Sequence, residues 1–371
     1  MDLPETVRTI AEYINKIAPT WLAEEWDNPG LLIGSFDHEV NSILTCLDVT
    51  SEVANEAAEK KVDLIISHHP LIFKAQKCIR TDRYPDGLIY SLIKNNINLL
   101  CAHTNLDFAN GGLNDYLASL LELNNIKNLK EYKTEKMYKV VVYVPEKSIN
   151  KVRKAMSSAG AGWVGKYSDC FFSVEGEGTF KPLKGTKPYI GQVGELAHVK
   201  EYRLETIAEE NKLNNVIEAM NKNHPYEEVA YDIYSLNIKG KKYGFGRIGA
   251  LKNAEGFEKF IERVKKCLKV KNVRIIGKSI KKARNIGVFC GGFDISCLNE
   301  IDKKNIDVLV TGEVKYNEAV EICEKNFCVI EAGHFSTERI VVSLLSNILE
   351  KMTPEIRIIK SKKEKNPFRL V

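Results

Sequence analysis

The stretch Val62-Asp63-Leu64-Ile65-Ile66-Ser67-His68-His69-Pro70 decides how the chain is read. An apolar run of this length reads as a buried strand, and Pro70 ends its ladder pairing. A strand would send adjacent His68 and His69 to opposite faces, whereas a turn lets both imidazoles converge. Two further stretches repeat the plan. Ile97 to Ala102 leads into His103-Thr104-Asn105-Leu106-Asp107, and Cys328 to Ala332 leads into Gly333-His334-Phe335-Ser336-Thr337-Glu338. Four of the seven histidines fall in these stretches. Imidazoles and carboxylates gathered at strand ends suit a hydrolytic centre with two metal ions.

Outward from these stretches, the first and last thirds share one order of elements. Strands are expected at Ile43 to Asp48, Asp63 to Ser67 and Ile97 to Ala102. Their counterparts are Asn285 to Cys290, Asp307 to Val310 and Cys328 to Ala332, with helices between. This alternation implies parallel βα units. Ligands gather at the carboxyl ends of such strands, where every candidate residue lies. The pairs His103/Asp107 and His334/Glu338 are spaced i, i+4 and stack on one face if a helix begins there.

The middle third differs. Strands at Tyr138 to Val144, Cys170 to Val174, Tyr202 to Ile207 and Glu228 to Tyr234, with helices at Ile149 to Ala159 and Leu213 to Asn221, follow a ferredoxin-like order. A Gly/Pro-rich loop is expected from Gly176 to Gly194, and His224 is read as a structural turn residue. The expected fold is therefore α/β: a duplicated three-layer αβα domain, residues 1–131 and 240–371, split by a ferredoxin-like insert, residues 132–239.

Composition sets the remaining bounds. The 371 residues exceed a usual single domain. With 54 basic and 49 acidic residues, the net charge of +5 is too balanced to demand nucleic acid. No apolar stretch approaches the ~20 residues that cross a bilayer, and Met1 to Glu5 lack a signal-peptide pattern. Nine cysteines without a Cys-x-x-Cys pair argue for reduced, buried thiols, and hence for a cytoplasmic protein.

Several motifs resemble the Ngg-interacting-factor-three-like family, also called GTP cyclohydrolase I type 2 homologs or dinuclear metal-centre hexameric proteins. They are Trp26-Asp27-Asn28-Pro29-Gly30-Leu31, Ser67 to Phe73, Ala102 to Asp107, Gly111 to Asp115, Thr311-Gly312-Glu313 and Gly333 to Glu338. The middle third is similar to PII-like or cation-tolerance-like modules through Gly165 to Ser168, Gly178 to Pro182, Pro188 to Gly191 and the His224 segment. The resemblance implies that His68, His69, Asp107, His334 and Glu338 bind two divalent ions, with His103 nearby. It also implies a homohexamer. Mixed nitrogen and oxygen ligation fits Zn, Fe, Mn or Co. Relatives often carry histidine where this chain has Tyr316 and Asn317.

Two functions are expected from these residues. One is a metal-dependent hydrolase of a phosphoester or nucleotide-like small molecule, with Glu313 and His103 as catalytic candidates. The other is a non-catalytic metal-binding scaffold whose insert binds or regulates.

Overall fold

A computed structural model describes residues 4–369. The chain forms two compact units: one built from the residues up to Lys133 and from Tyr243 onward, the other from Thr134–Lys242. No turn or linker marks either boundary. The strands Asn124–Pro145 and Tyr231–Gly256 continue through them.

The larger unit contains two sheets. One has the order Gly30–Ile33, Asn98–Cys101, Leu64–Ser67, Ser42–Cys46, Arg357–Lys360. Its last four strands run parallel, and Gly30–Ile33 pairs antiparallel with Asn98–Cys101. Cys46 registers with Ser67, and Ser67 with Cys101. The residues that follow, Asp48, His68, His69 and His103, therefore emerge along one edge.

In the second sheet, Lys282–Gly292, Val308–Glu313 and Cys328–Glu331 run parallel. Arg274–Gly277 and the Tyr231–Gly256 strand flank them antiparallel. Thr311 registers with Glu331, so Glu313 and His334 leave from neighbouring strand ends.

Both sheets are buried on both faces, which explains their continuous apolar runs. Ile43, Leu64 and Ile66 of one sheet and Ile286, Val288 and Val310 of the other share a core with residues of helices Val7–Ile17, Leu113–Leu120, Phe257–Leu268 and Val341–Met352. The opposite face of the first sheet, with Leu44, Ile65 and Leu99, packs on helices Ser51–Glu59 and Asp86–Lys94. Leu309 and Val329 of the second pack on Leu298–Lys303 and Tyr316–Cys323. Each half is thus an αβα arrangement, and the two halves share the inner helical layer. One polar contact is buried there: Thr45 Oγ1 lies 2.9 Å from Ser346 Oγ.

The N-terminal helix begins at a capping box, in which Thr9 N donates to Thr6 Oγ1 (3.4 Å) and Thr6 N to Thr9 Oγ1 (2.8 Å). Helix Phe257–Leu268 ends at Lys269 in the left-handed region, φ 56°. Cys46, Cys101, Cys290 and Cys328 are buried, and all nine cysteines are free thiols. No helix among the described residues is long and apolar enough to cross a membrane.

In the smaller unit, the order is the strand leading to Pro145, helix Ile149–Ser158, strands Phe171–Phe180 and Ala197–Glu209, helix Glu210–Asn223, and the strand from Tyr231. Ala197–Glu209 pairs antiparallel with both neighbouring strands. Val140, Val142, Val144 and Leu204 pack against Val152 and Met156 of one helix and Val216 and Met220 of the other, a core with no member from the larger unit. One expectation fails here. Gly176 and Gly178, read as loop residues, lie inside a strand that pairs without interruption from Phe171 to Phe180. Ladder pairing along that whole register outweighs glycine's weak strand preference.

Candidate metal centre

Each candidate residue sits just beyond a strand end. Leu64–Ser67 delivers His68 and His69, and Asn98–Cys101 delivers His103. Short helices then begin. Thr104–Phe108 carries Asp107, and His334–Glu338 holds both of its named end residues. The i, i+4 spacing thus lies on helical turns, as expected.

All four imidazoles are held in the same way. His68 Nδ1 lies 2.7 Å from the Ala102 carbonyl oxygen, and His69 Nδ1 lies 2.8 Å from Asp48 Oδ1. His103 Nδ1 is 2.8 Å from Asp27 Oδ1, and His334 Nδ1 is 3.1 Å from Glu313 Oε2. These oxygens accept, so each ring donates from Nδ1 and turns Nε2 toward another partner. A polar group behind each ring is the usual support of a metal-binding histidine.

The free ends converge. Glu338 Oε2 lies 3.0 Å from His69 Nε2 and 3.1 Å from His334 Nε2, while His68 Nε2 is 3.5 Å from Asp107 Oδ1. His68 Nε2, Asp107 Oδ1 and Glu338 Oε2 are nevertheless buried without a hydrogen-bond partner. They approach one another without the alignment of a hydrogen bond, as donors sharing a central cation would. Buried polar atoms of this kind call for an explanation, and the donor set fits divalent ions. Among the described residues, two groups have ligand atoms close enough to hold an ion: His68, His69 and His103, and His69, His334 and Glu338. The first brings His103 fully into the cluster.

The electrostatics are divided. Burial pushes His68 down to about 3, which keeps its ring neutral. Burial would also lower His69, but Asp48 and Glu338 outweigh it and raise the ring to about 10. Glu338 raises His334 to about 9. Burial lifts the Asp107 carboxyl well above its ordinary range, with Glu338 adding to the effect. Metal uptake must displace ring protons, so it releases them to solvent.

Two glycines make room for the arrangement. A Cβ on Gly291, whose φ is +69°, would lie 2.0 Å from Glu338 Oε1. One on Gly312 would lie 2.5 Å from Thr337 Oγ1 and 2.9 Å from His334 Cα. The Thr-Gly-Glu motif therefore lets the His334 helix press against the end of the neighbouring strand.

A cavity of about 360 Å³ borders the cluster, lined by Trp26, Phe245 and Phe289 together with His103, Asp107 and Glu338. Asp294 and Glu24 also line it, and no lysine or arginine does among the described residues.

The model of the Duf34/NIF3 (NGG1p interacting factor 3) family matches residues 5–367. The chain belongs to this family. A Bacillus subtilis relative named GTP cyclohydrolase 1 type 2 homolog is 40% identical over 363 residues, 97% of each chain. Another of that name, from Halalkalibacterium halodurans, is 38% identical over 368 residues, 98% of each. The crystal structure of a Bacillus cereus protein related to NIF3 superposes with a TM-score of 0.87 at 39% identity, covering both chains completely.

Within this family fold, Asp27 and Asp48 were not legible as site residues. Asp27 is buried, and it accepts from Thr104 N (3.1 Å) and Thr104 Oγ1 (2.5 Å) as well as from His103. Burial would raise its carboxyl, yet His103 and these donors hold it at about 2. Asn114 was missed too: its amide donates to Asp107 O (3.1 Å) and its oxygen accepts from Cys290 N (2.8 Å). Glu313 is the catalytic candidate at the end of its strand. Its observed partner is His334, and Lys315 pairs with Glu318. His224 and His198 stand in the smaller unit, where His224 Nε2 meets Tyr143 O at 3.0 Å and His198 pairs with Glu177.

Proposed function

We propose that the protein is a dinuclear-metal-dependent hydrolase of a nucleotide-like or phosphoester small molecule. The observation carrying this reading is the approach of His69 and His334 Nε2 to the buried, unpartnered Glu338 Oε2 and of His68 Nε2 to the buried, unpartnered Asp107 Oδ1, each ring fixed from behind. His68, His69, Asp107, His334 and Glu338 hold two divalent ions (Zn, Fe, Mn or Co), with His103 beside them. Such ions supply Lewis acidity and lower the pKa of water. Asp48 and Asp27 fix the tautomers of His69 and His103. Trp26, Phe245 and Phe289 offer flat apolar walls to a ring, which favours nucleotide-like compounds over a bare phosphate ester.

His103 faces this cavity while Asp27 holds its Nδ1, so it can move a proton at Nε2. Glu313, exposed and bonded to His334, is the second proton-moving candidate and also orients that ring. Metal analysis of the purified chain, then a nucleotide and phosphoester hydrolysis screen with each metal restored, tests the proposal. Metal-dependent turnover is expected, and it should be lost in His103→Gln even when the metal is supplied in excess. Metal-replete protein that turns over nothing supports the scaffold reading instead.

The family's hexamer and a cytoplasmic setting belong to the same proposal. The nine free thiols support the latter.

A further inference from the structure

A second cavity, of about 580 Å³, lies wholly within the Thr134–Lys242 unit. It occupies the sheet face opposite the helices. Leu204 points into the helix-covered core, so its strand neighbours Arg203 and Glu201 lie toward the other side. Register places Gly176 opposite Glu201, Gly178 opposite Val199 and Tyr143 opposite Arg203. A Cβ on Gly176 would meet nothing within 4 Å, whereas one on Gly178 would lie 2.1 Å from Glu201 Oε2. The two glycines thus open a hollow with a carboxylate at its floor.

Glu201 is only 8% exposed. Tyr226 Oη donates to its Oε1 at 2.7 Å. Arg203 lines the same cavity, but its guanidinium pairs with Glu205 at 3.2 Å. Among the described residues no cation pairs with this buried carboxyl, a costly arrangement for a carboxylate unless a ligand completes it. Aromatic rings surround the carboxylate. Tyr226 stands 5.8 Å from Phe180 and 6.2 Å from Tyr189, centroid to centroid, and Tyr143 closes another wall. Glu227 and Glu228 add negative charge at the rim, with Lys181 near them, while Glu175 and Glu177 are paired with Lys200 and His198. Ring faces and a buried carboxylate together attract a cation with an apolar body.

The geometry points to a binding site for a small organic cation, an amine or guanidinium on an apolar or aromatic body, held between Glu201 and the rings of Tyr143, Phe180, Tyr189 and Tyr226. This site is independent of the metal centre, since none of its residues belongs to the larger unit.

Calorimetric titration of the full-length protein with phenethylamine, 2-phenylethanol and 3-phenylpropionate tests it. Saturable binding of the amine is expected, with the neutral and anionic isosteres weaker by roughly tenfold or more. Glu201→Gln should lose that preference for the cation. Gly176→Leu, whose Cβ meets nothing within 4 Å, should abolish binding while circular dichroism stays native. The site is refuted if phenethylamine shows no saturable binding, if 2-phenylethanol binds equally well, or if Gly176→Leu binds as the parent does. It is likewise refuted if the face is covered by a second copy of the chain. That would appear as a loss of assembly mass in Gly176→Leu with no amine binding to the parent.

Discussion

His69 donates from Nδ1 to Asp48 Oδ1 at 2.8 Å, and Asp48 belongs to a different strand end, 21 residues earlier. His103 stands in the same relation to Asp27 across 76 residues. Asp48→Asn and Asp27→Asn should each weaken metal affinity by roughly 10–100-fold, the usual cost of losing such a support. Competition against a chromogenic chelator measures this. A surface control, Asp37→Asn, should match the parent, and equal affinity in all four proteins would remove the orienting role.

Direct ligands should matter more. His68→Ala and His334→Ala are expected to lower metal content below two per chain, measured by mass spectrometry of the elements. His198→Ala, in the smaller unit, should not change it. Native circular dichroism separates loss of a ligand from loss of fold.

Gly291→Ala sets a methyl group against the Glu338 carboxylate at a positive φ. Strain of this kind costs about 1–3 kcal/mol. Chemical denaturation should show that loss, accompanied by reduced metal retention because Glu338 is the group displaced.

Glu135 provides a pH test away from the metal centre. It is 1% exposed, both carboxylate oxygens lack partners, and burial followed by Glu209 raises it to about 7. Its folded pKa lies above the unfolded value, so the folded state holds the extra proton between the two. Its contribution to stability is intact below about pH 4.3 and is lost as pH rises toward 7. Glu135→Gln should therefore stabilise the protein by about 1–3 kcal/mol at pH 8 and by only tenths at pH 4.5. Thermal midpoints at the two pH values report the difference, and a pH-independent shift would contradict it.

The cores of the two units share no residue. Removing Thr134–Lys242 and joining Lys133 to Tyr243 through a short linker should leave a soluble protein that keeps its metal. A folded core that binds none would show that the smaller unit supplies a ligand.

Much of the larger unit could be read from the chain because its strands are covered on both faces, leaving apolar runs such as Leu64 to Ile66 that end abruptly in histidine. The ligands are local to those ends. Their supports are not: Asp27 precedes the first strand in an irregular segment, and only the folded register brings it under His103. Glu313 was visible, but its bond to His334 depends on two parallel strands ending side by side. In the smaller unit, Phe171–Phe180 was cut short because glycine signals a turn in isolation, whereas here it marks the space above Glu201.

The strand Arg357–Lys360 pairs with Ser42–Cys46, and just beyond it Glu364 accepts from Leu47 N (2.5 Å) and Asp48 N (2.8 Å). The backbone that aims Asp48 at His69 is thus anchored by a residue 316 positions further along the chain. Contacts of such long range form late. During synthesis the first histidines therefore emerge long before the residues that complete their support. A chain cut short before Arg357 should therefore bind metal poorly even where its histidines are all present, which ties loading of the centre to the segment from Arg357 to Glu364.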